Sequence, residues 1–206
     1  MRLGIFGGTF DPPHIGHLIL AAEARLQLSL DRLLWVLTPC PPHKAGQPIT
    51  PVADRWELLQ LALNSDQDFE LSRVDIDRQP PHFAVETVEL LRRANPGAIL
   101  VYLMGGDSLS DLPHWHQPQA FVLACDELGV MRRPSRQIDL ASLEAVLPGL
   151  TARVRFIDAP LLEISSSRIR QKIAEGLPYR YYLPPPVYQR IQERNLYPPP
   201  IQPGRL

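Results

Sequence analysis

Short apolar runs of strand length alternate with stretches of good helix formers along most of this chain, and few architectures accommodate that alternation. Leu3–Phe6 is a brief apolar run that meets Gly7-Gly8 at once, as a buried strand entering a tight turn does. Residues 17–28 hold no Pro or Gly and read as a helix, and Leu33–Leu37 reads as a second strand. Thr50 is placed to N-cap a helix with Pro51 at its first position, carrying Arg55, Trp56, Leu58, Leu59 and Leu63. Strands are expected at Phe69–Val74, Ile99–Met104, around Gly129–Met131 and at Val154–Ile157. Further helices are expected at Ala84–Arg93, Ile138–Val146, Ser166–Glu175 and Pro186–Arg194. Strand–helix alternation of this kind predicts an α/β fold: a doubly wound parallel sheet with helices on both faces and a small C-terminal helical portion. Ligands of such sheets bind beyond the carboxyl ends of the strands, so the loops after Phe6, Leu37 and Met104 are the first places to look. No internal repeat or linker divides the chain, which is expected to form a single domain over 1–197 with a flexible Pro-rich tail at 198–206.

Composition narrows the function classes. Lys and Arg number 21 against 22 Asp and Glu, a net charge of −1, so no nucleic-acid partner is expected, while a local basic pocket stays open. Cys40 and Cys125 are far apart and belong to no C-x-x-C pair, which disfavours a disulfide framework or a Cys-based zinc site. The start lacks the long apolar region of a signal peptide, and no apolar run reaches membrane-spanning length, so a soluble cytoplasmic protein is expected. Oligomeric state is not readable from the residues, and a homo-oligomer stays open.

Two segments carry the chemistry. The first is Gly7-Gly8-Thr9-Phe10-Asp11-Pro12-Pro13-His14-Ile15-Gly16-His17. Adjacent glycines allow backbone N–H groups close to an anion, and a helix starting near Gly16 would put both imidazoles at its N-terminus, where the dipole favours phosphate. The segment is neither the G-x-G-x-x-G fingerprint nor a P-loop. Taken alone it is most simply a Gly/Pro turn with two solvated histidines; a zinc pair lacks further ligands at suitable spacing. The second segment is Ile164-Ser165-Ser166-Ser167-Arg168-Ile169-Arg170. Three hydroxyls and two arginines at a helix start form another anion cradle, although a serine cap with a solvated basic face would look the same.

Together these segments resemble the H-x-G-H nucleotidyltransferase superfamily, here as His14-Ile15-Gly16-His17. Within it, Gly7–His17 resembles the GGTFDPxHxGH motif of bacterial nicotinate-mononucleotide adenylyltransferases. Residues 164–170 resemble their ISSTxIR motif, with Ser167 for Thr. The resemblance continues in order through Pro41-Pro42-His43-Lys44 (PPHK), Gly105-Gly106-Asp107 (GxD), Trp115, Arg132-Arg133-Pro134, Tyr182-Leu183-Pro184 and Leu196-Tyr197. It is degenerate over Arg78–Thr87, where Pro80, His82, Phe83, Ala84 and Glu86 replace Gly, Ser, Tyr, Thr and Asp of RxGPSYTxDT.

The resemblance implies a Rossmann-like nucleotidyltransferase fold and transfer of AMP from ATP to nicotinate mononucleotide, giving deamido-NAD and pyrophosphate, with Mg²⁺ bound through the substrate phosphates. It implies that His14 and His17 contact the ATP phosphates, His17 steadying the transition state, and that Ser166 and Arg170 hold the β- and γ-phosphates beside Ile164 and Ser167. The Gly7, Gly8 and Thr9 backbone would approach the α-phosphate or the mononucleotide phosphate, and Gly16 would leave room for the ligand. Gly105 and Asp107 would serve the adenosine, Asp107 through a ribose or adenine contact. Lys44 would meet the mononucleotide phosphate, Trp115 would stack on the pyridine, Thr87 would recognise the carboxylate, and Phe10 and His116 would border that pocket. Each has a plainer reading: Trp115 as core packing, Asp107 as a turn residue, Lys44 as an exposed side chain. Trp35 and Trp56 read as core, and His82 and His114 have no independent case for catalysis. A pantetheine-phosphate adenylyltransferase would be shorter, and a class I aminoacyl-tRNA synthetase would need a KMSKS loop. A non-catalytic dinucleotide sensor would be expected to have lost His17 or Arg170. Nicotinamide mononucleotide, alone or beside nicotinate mononucleotide, is the alternative acceptor.

Overall fold

In a computed structural model of the chain, residues 1–41, 46, 48–64, 68–132, 138–160 and 162–199 are described. Six strands form one sheet: β1 (Arg2–Gly8), β2 (Arg32–Leu37), β3 (Phe69–Ser72), β4 (Ile99–Gly105), β5 (Glu127–Met131) and β6 (Val154–Ile157). Their order is β3-β2-β1-β4-β5-β6 and every neighbouring pair is parallel. The order reverses direction between β1 and β4, the place where crossover connections diverge and leave a crevice at the strands' carboxyl ends. The described helices are α1 (Ile15–Gln27), α2 (Val52–Leu63), α3 (Ala84–Ala94), α4 (Gly106–Asp111), α5 (Pro118–Ala124), α6 (Leu140–Val146), α7 (Leu150–Arg153), α8 (Ser166–Ala174) and α9 (Pro185–Glu193).

The chain forms two compact units. The first comprises Met1–Thr9, Ile19–Pro48 and Asp66–Leu161 and contains the whole sheet. Alternation along its strands sends side chains to two faces. Leu3, Ile5, Leu34, Val36, Leu100, Tyr102, Leu128 and Val130 bury one face among Val85, Val88 and Leu91 of α3, Phe121 and Val122 of α5, and Leu143 of α6. On the other face Leu28, just beyond α1, approaches so closely that a Cβ on Gly129 would lie 2.7 Å from its Cδ1. Apolar burial on both faces explains why these strands read as continuous apolar runs rather than alternating ones.

The second unit comprises Phe10–Leu18, Ile49–Ser65 and Leu162–Leu206. Here α2 packs on α9, burying Leu58, Leu59, Val187 and Ile191. Ion pairs join the two helices: Arg190 to Glu57, and Arg194 to Asp54 and Glu57, each of the last two at 2.8 Å. The expected Thr50 cap is not made. Pro51 itself is the cap residue, and Thr50 instead accepts from Arg55 Nε at 2.7 Å, which satisfies a guanidinium buried under the helix. Three short helices, α4, α5 and α7, lie where the sequence offered no periodicity to read. No described helix is long and apolar enough to cross a membrane.

Candidate active site

A cavity of about 700 Å³ opens at the carboxyl ends of β1, β2 and β4 in the first unit. It is lined by Phe6–Thr9 of the β1 end, by Val36, Thr38 and Leu103–Gly105, and by Asp75, His82–Ala84, Thr87, Asp111 and His114–His116. This is the switch point that the strand order predicts.

Gly7 is not a turn residue here but part of β1. A Cβ on it would lie 2.7 Å from Tyr102 Oη, so its glycine makes room for a hydroxyl from the neighbouring strand. Gly8 remains in register, its carbonyl accepting from Thr38 N–H at 2.9 Å. Gly105 ends β4 with nothing within 4 Å of where its Cβ would be, and it lines the cavity. Asp107 sits exposed in the first turn of α4 and is not in the cavity wall.

The aromatic wall is built by stacking. His116 lies on Phe83 at 3.8 Å between centroids and 16° between planes. Trp115 is half-buried, tilted on Phe121 at 5.3 Å, and lines the cavity. Its position reconciles the two sequence readings, since it rests on the core and still borders the cavity. Thr87 is buried, and its hydroxyl donates to Asp75 Oδ1 at 2.7 Å while its N–H is held by the Phe83 carbonyl at 3.3 Å. Its side chain therefore anchors Asp75. Asp75 also accepts from Arg78 Nε at 3.0 Å, and Arg78 pairs in turn with Glu86 at 2.5 Å. Burial and the nearby Asp75 carboxylate both push the Tyr102 phenol up, so it stays protonated. Asp75, Arg78 and Tyr102 received no role from sequence. A hydroxyl-bearing Tyr inside the aliphatic run Ile99–Met104 was the signal that could have drawn notice.

The second unit holds the phosphate-type segments. His14 immediately precedes α1, and its carbonyl accepts from the N–H of His17 at 2.9 Å, which starts the helix with both imidazoles at its N-terminus. The rings stack at 3.6 Å and 21°. A Cβ on Gly16 would lie 3.1 Å from His14 Nδ1, so the glycine between the histidines is the condition for His14 to fold back. Burial lowers the His14 pKa to about 4, so it is neutral at physiological pH and the stack carries no pair of like charges. His14 N–H donates to His17 Nδ1 at 3.1 Å. That bond fixes the neutral tautomer of His17 with its proton on Nε2, a directed donor at a helix N-terminus.

Arg170, on the second turn of α8, donates from one terminal nitrogen to the Asp11 carbonyl at 2.7 Å and from the other to Ser167 Oγ at 3.4 Å. Ser166 Oγ donates to the Pro12 carbonyl at 2.8 Å, while Ser165, not Ser166, is the residue that caps α8, accepting from Arg168 N–H at 3.2 Å. Ile164 packs by Gly16, its Cβ 3.7 Å from where a Gly16 Cβ would be. Phe10, buried with φ 46°, stands edge-on to His17 at 5.1 Å. Asp11 is the hub that sequence reasoning missed: its carboxylate accepts from Tyr197 Oη at 2.9 Å and Thr50 N–H at 3.3 Å. Burial and that carboxylate raise the Tyr197 pKa, which keeps the bond. This cluster brings His14, His17, Gly16, Ile164, Ser166, Ser167 and Arg170 together, as their motifs suggested. Lys44, Pro42, His43, Arg133 and Pro134 lie outside the described residues.

A cytidylyltransferase-like family model matches residues 5–172. A chain from Thermomicrobium roseum named a probable nicotinate-nucleotide adenylyltransferase is 46% identical, over 95% of this chain and 91% of that one. A chain of the same name from Exiguobacterium sibiricum is 40% identical, over 96% and 99%. Among solved structures, nicotinic acid mononucleotide adenylyltransferase of Plasmodium falciparum, complexed with NaAD, is similar with a TM-score of 0.78 at 19% identity, covering 95% of this chain and 97% of that one. At that identity the likeness establishes the fold.

Proposed function

We propose that this chain, which belongs to the cytidylyltransferase-like family and within it to the nicotinate-nucleotide adenylyltransferases, transfers the adenylyl group of ATP to nicotinate mononucleotide, giving deamido-NAD and pyrophosphate. The observation that carries this reading is 46% and 40% identity, over nearly the full length of both partners, to relatives of that name. The geometry supports it chemically. The acceptor's phosphate oxygen attacks the α-phosphorus of ATP, a P–O bond forms, and the bond from the α-phosphorus to the bridging oxygen breaks as pyrophosphate leaves. The nucleophile is already anionic near neutral pH, so the chemistry calls for donors and positioning rather than a general base. We assign the Nε2–H of His17 to the phosphoryl oxygens in the transition state, and Arg170 with Ser167 to the departing phosphates. His14 stays neutral and holds His17 in its tautomer. The donor set of imidazole, hydroxyl and guanidinium suits phosphate oxygens better than a hard cation, so Mg²⁺ is expected to arrive on ATP, held by phosphate oxygens and water, where it neutralises charge. The cavity between Trp115 and the β1 end is assigned to the mononucleotide, with Trp115 and His116 beside the pyridine.

A product assay with ATP, Mg²⁺ and either mononucleotide tests the reading. Near neutral pH, deamido-NAD and pyrophosphate are expected in equal amounts, with higher kcat/KM for nicotinate than for nicotinamide mononucleotide; no product from either would overturn it. Trp115→Ala tests the ring assignment. Stacking on an aromatic face is worth about 1–3 kcal/mol, so KM for the mononucleotide is expected to rise about 5- to 150-fold with little change for ATP. Equal rises for both substrates would remove stacking as its role.

A further inference from the structure

Tyr197 has no task in the chemistry above, yet within the second unit its hydroxyl reaches the loop against which Arg170 rests. Helix α9 closes on a left-handed residue, Asn195, at φ 47°. Asn195 N–H bonds the Gln192 carbonyl at 3.2 Å and Leu196 N–H the Ile191 carbonyl at 3.0 Å. This pair of bonds is the Schellman closure, which turns the chain sharply out of the helix. Tyr197 follows, itself at φ 63°, and its Oη donates to Asp11 Oδ1 at 2.9 Å. Phe10, the neighbour of Asp11, stands at φ 46°. Left-handed backbone at a bulky aromatic residue is costly and persists only where surrounding contacts hold it. Here it flanks both ends of one hydrogen bond.

The Asp11 carboxylate is buried, and each of its oxygens is held. Oδ1 takes the Tyr197 hydroxyl, and Oδ2 takes the Thr50 N–H at 3.3 Å. Thr50 leads into α2 and Tyr197 leaves α9, so the carboxylate is gripped from both ends of the helix pair that ion pairs fasten together. Arg170 meets Asp11 twice through one terminal nitrogen, which donates to the Asp11 carbonyl at 2.7 Å and lies 3.9 Å from Oδ2. At that distance a carboxylate free to turn would draw the guanidinium into a direct ion pair, spending donors that phosphate oxygens would otherwise receive. The Tyr197 hydroxyl occupies Oδ1 and opposes the turn. Burial and the Asp11 charge both push the Tyr197 phenol up, so it keeps the proton it donates.

We propose that Tyr197 is a positioning residue for the reaction: through the Asp11 carboxylate it sets the direction in which Arg170 presents its remaining donors to the ATP phosphates. The proposal rests on the adenylyltransferase reading. Its effect is carried by Arg170, because Asp11 meets that side chain at both its carbonyl and its carboxylate. A hydroxyl that only supported the fold would affect both substrates alike, whatever residue stood at position 170. A positioning hydroxyl acts on ATP alone and falls silent once the guanidinium is removed.

The test is Tyr197→Phe, which keeps the ring and removes the hydroxyl, made in the wild type and in Arg170→Ala. Displacing a positioned group rather than deleting it is expected to lower kcat/KM for ATP about tenfold, with KM for the mononucleotide changed less than about twofold. In Arg170→Ala the same substitution is expected to cost less than about twofold, since the group it acts through is gone. Should Tyr197→Phe not fold, Asp11→Asn serves instead. It offers one acceptor oxygen in place of two to Tyr197 and Thr50, and the same ATP-selective, Arg170-dependent loss is expected. Wild-type kinetics in Tyr197→Phe, an equal loss for both substrates, or a loss undiminished in Arg170→Ala would overturn the assignment and leave the adenylyltransferase reading standing. No product from the wild type with either mononucleotide would overturn that reading. Calorimetric titration of ATP into the same chains then decides the assignment: a weaker Kd in Tyr197→Phe than in the wild type supports it, and an equal one overturns it.

Discussion

His17→Ala is expected to lower kcat about 10²- to 10³-fold, the loss typical when one directed donor to a transition-state oxyanion is removed, while the melting temperature moves by only a few degrees. The two effects separate because of where the ring is. His17 is half-buried, its backbone is held in α1 by the His14 carbonyl, and its ring accepts from His14 N–H. Truncation leaves that N–H unpaired at a helix start, a cost of about 1 kcal/mol, and removes the Nε2–H altogether. Rapid-quench measurement of the adenylyl-transfer step with a thermal melt on the same preparation checks it. Turnover near the wild-type rate would sink the mechanism.

Arg170→Ala is expected to reduce kcat/KM for ATP by about 10²-fold or more, with a much smaller effect on KM for the mononucleotide. The guanidinium is oriented by the Asp11 carbonyl at one terminal nitrogen and Ser167 Oγ at the other, and its side chain remains 33% exposed. It is thus a fixed fork with donors to spare for phosphate oxygens. Arg170→Lys keeps the charge but not the fork, and is expected to recover only part of the loss. Full recovery would mean that charge alone matters; equal losses for both substrates would mean that Arg170 only supports the fold. Steady-state kinetics with each substrate varied in turn distinguishes these outcomes.

The strands were the most legible part of the sequence. Buried on both faces, they advertise themselves as apolar runs, and Val154–Ile157 appears in the structure with the bounds its residues suggest. Helix α3 was equally plain, its apolar stripe standing against charged residues. The short helices α4 and α5 were hidden because two turns or fewer cannot display a period, and Gly105-Gly106 reads as a stop although Gly106 begins α4. Trp56, read as core, is only half-buried.

Local chemistry needs only local spacing, and this much the residues determined by themselves. Two imidazoles three apart around a glycine, and serines leading two arginines into a helix, are local signals of anion binding that gain weight from occurring together. The parallel sheet follows similarly from alternation. Pairings between distant segments are different, because no local pattern encodes which backbone or side chain will arrive. Only the tertiary structure decided that Gly7 answers to Tyr102, that Thr87 spends its hydroxyl on Asp75, and that Asp11 ties Tyr197 and Thr50 to the loop that holds Arg170. Burial and hydrogen-bond satisfaction are properties of the folded chain alone.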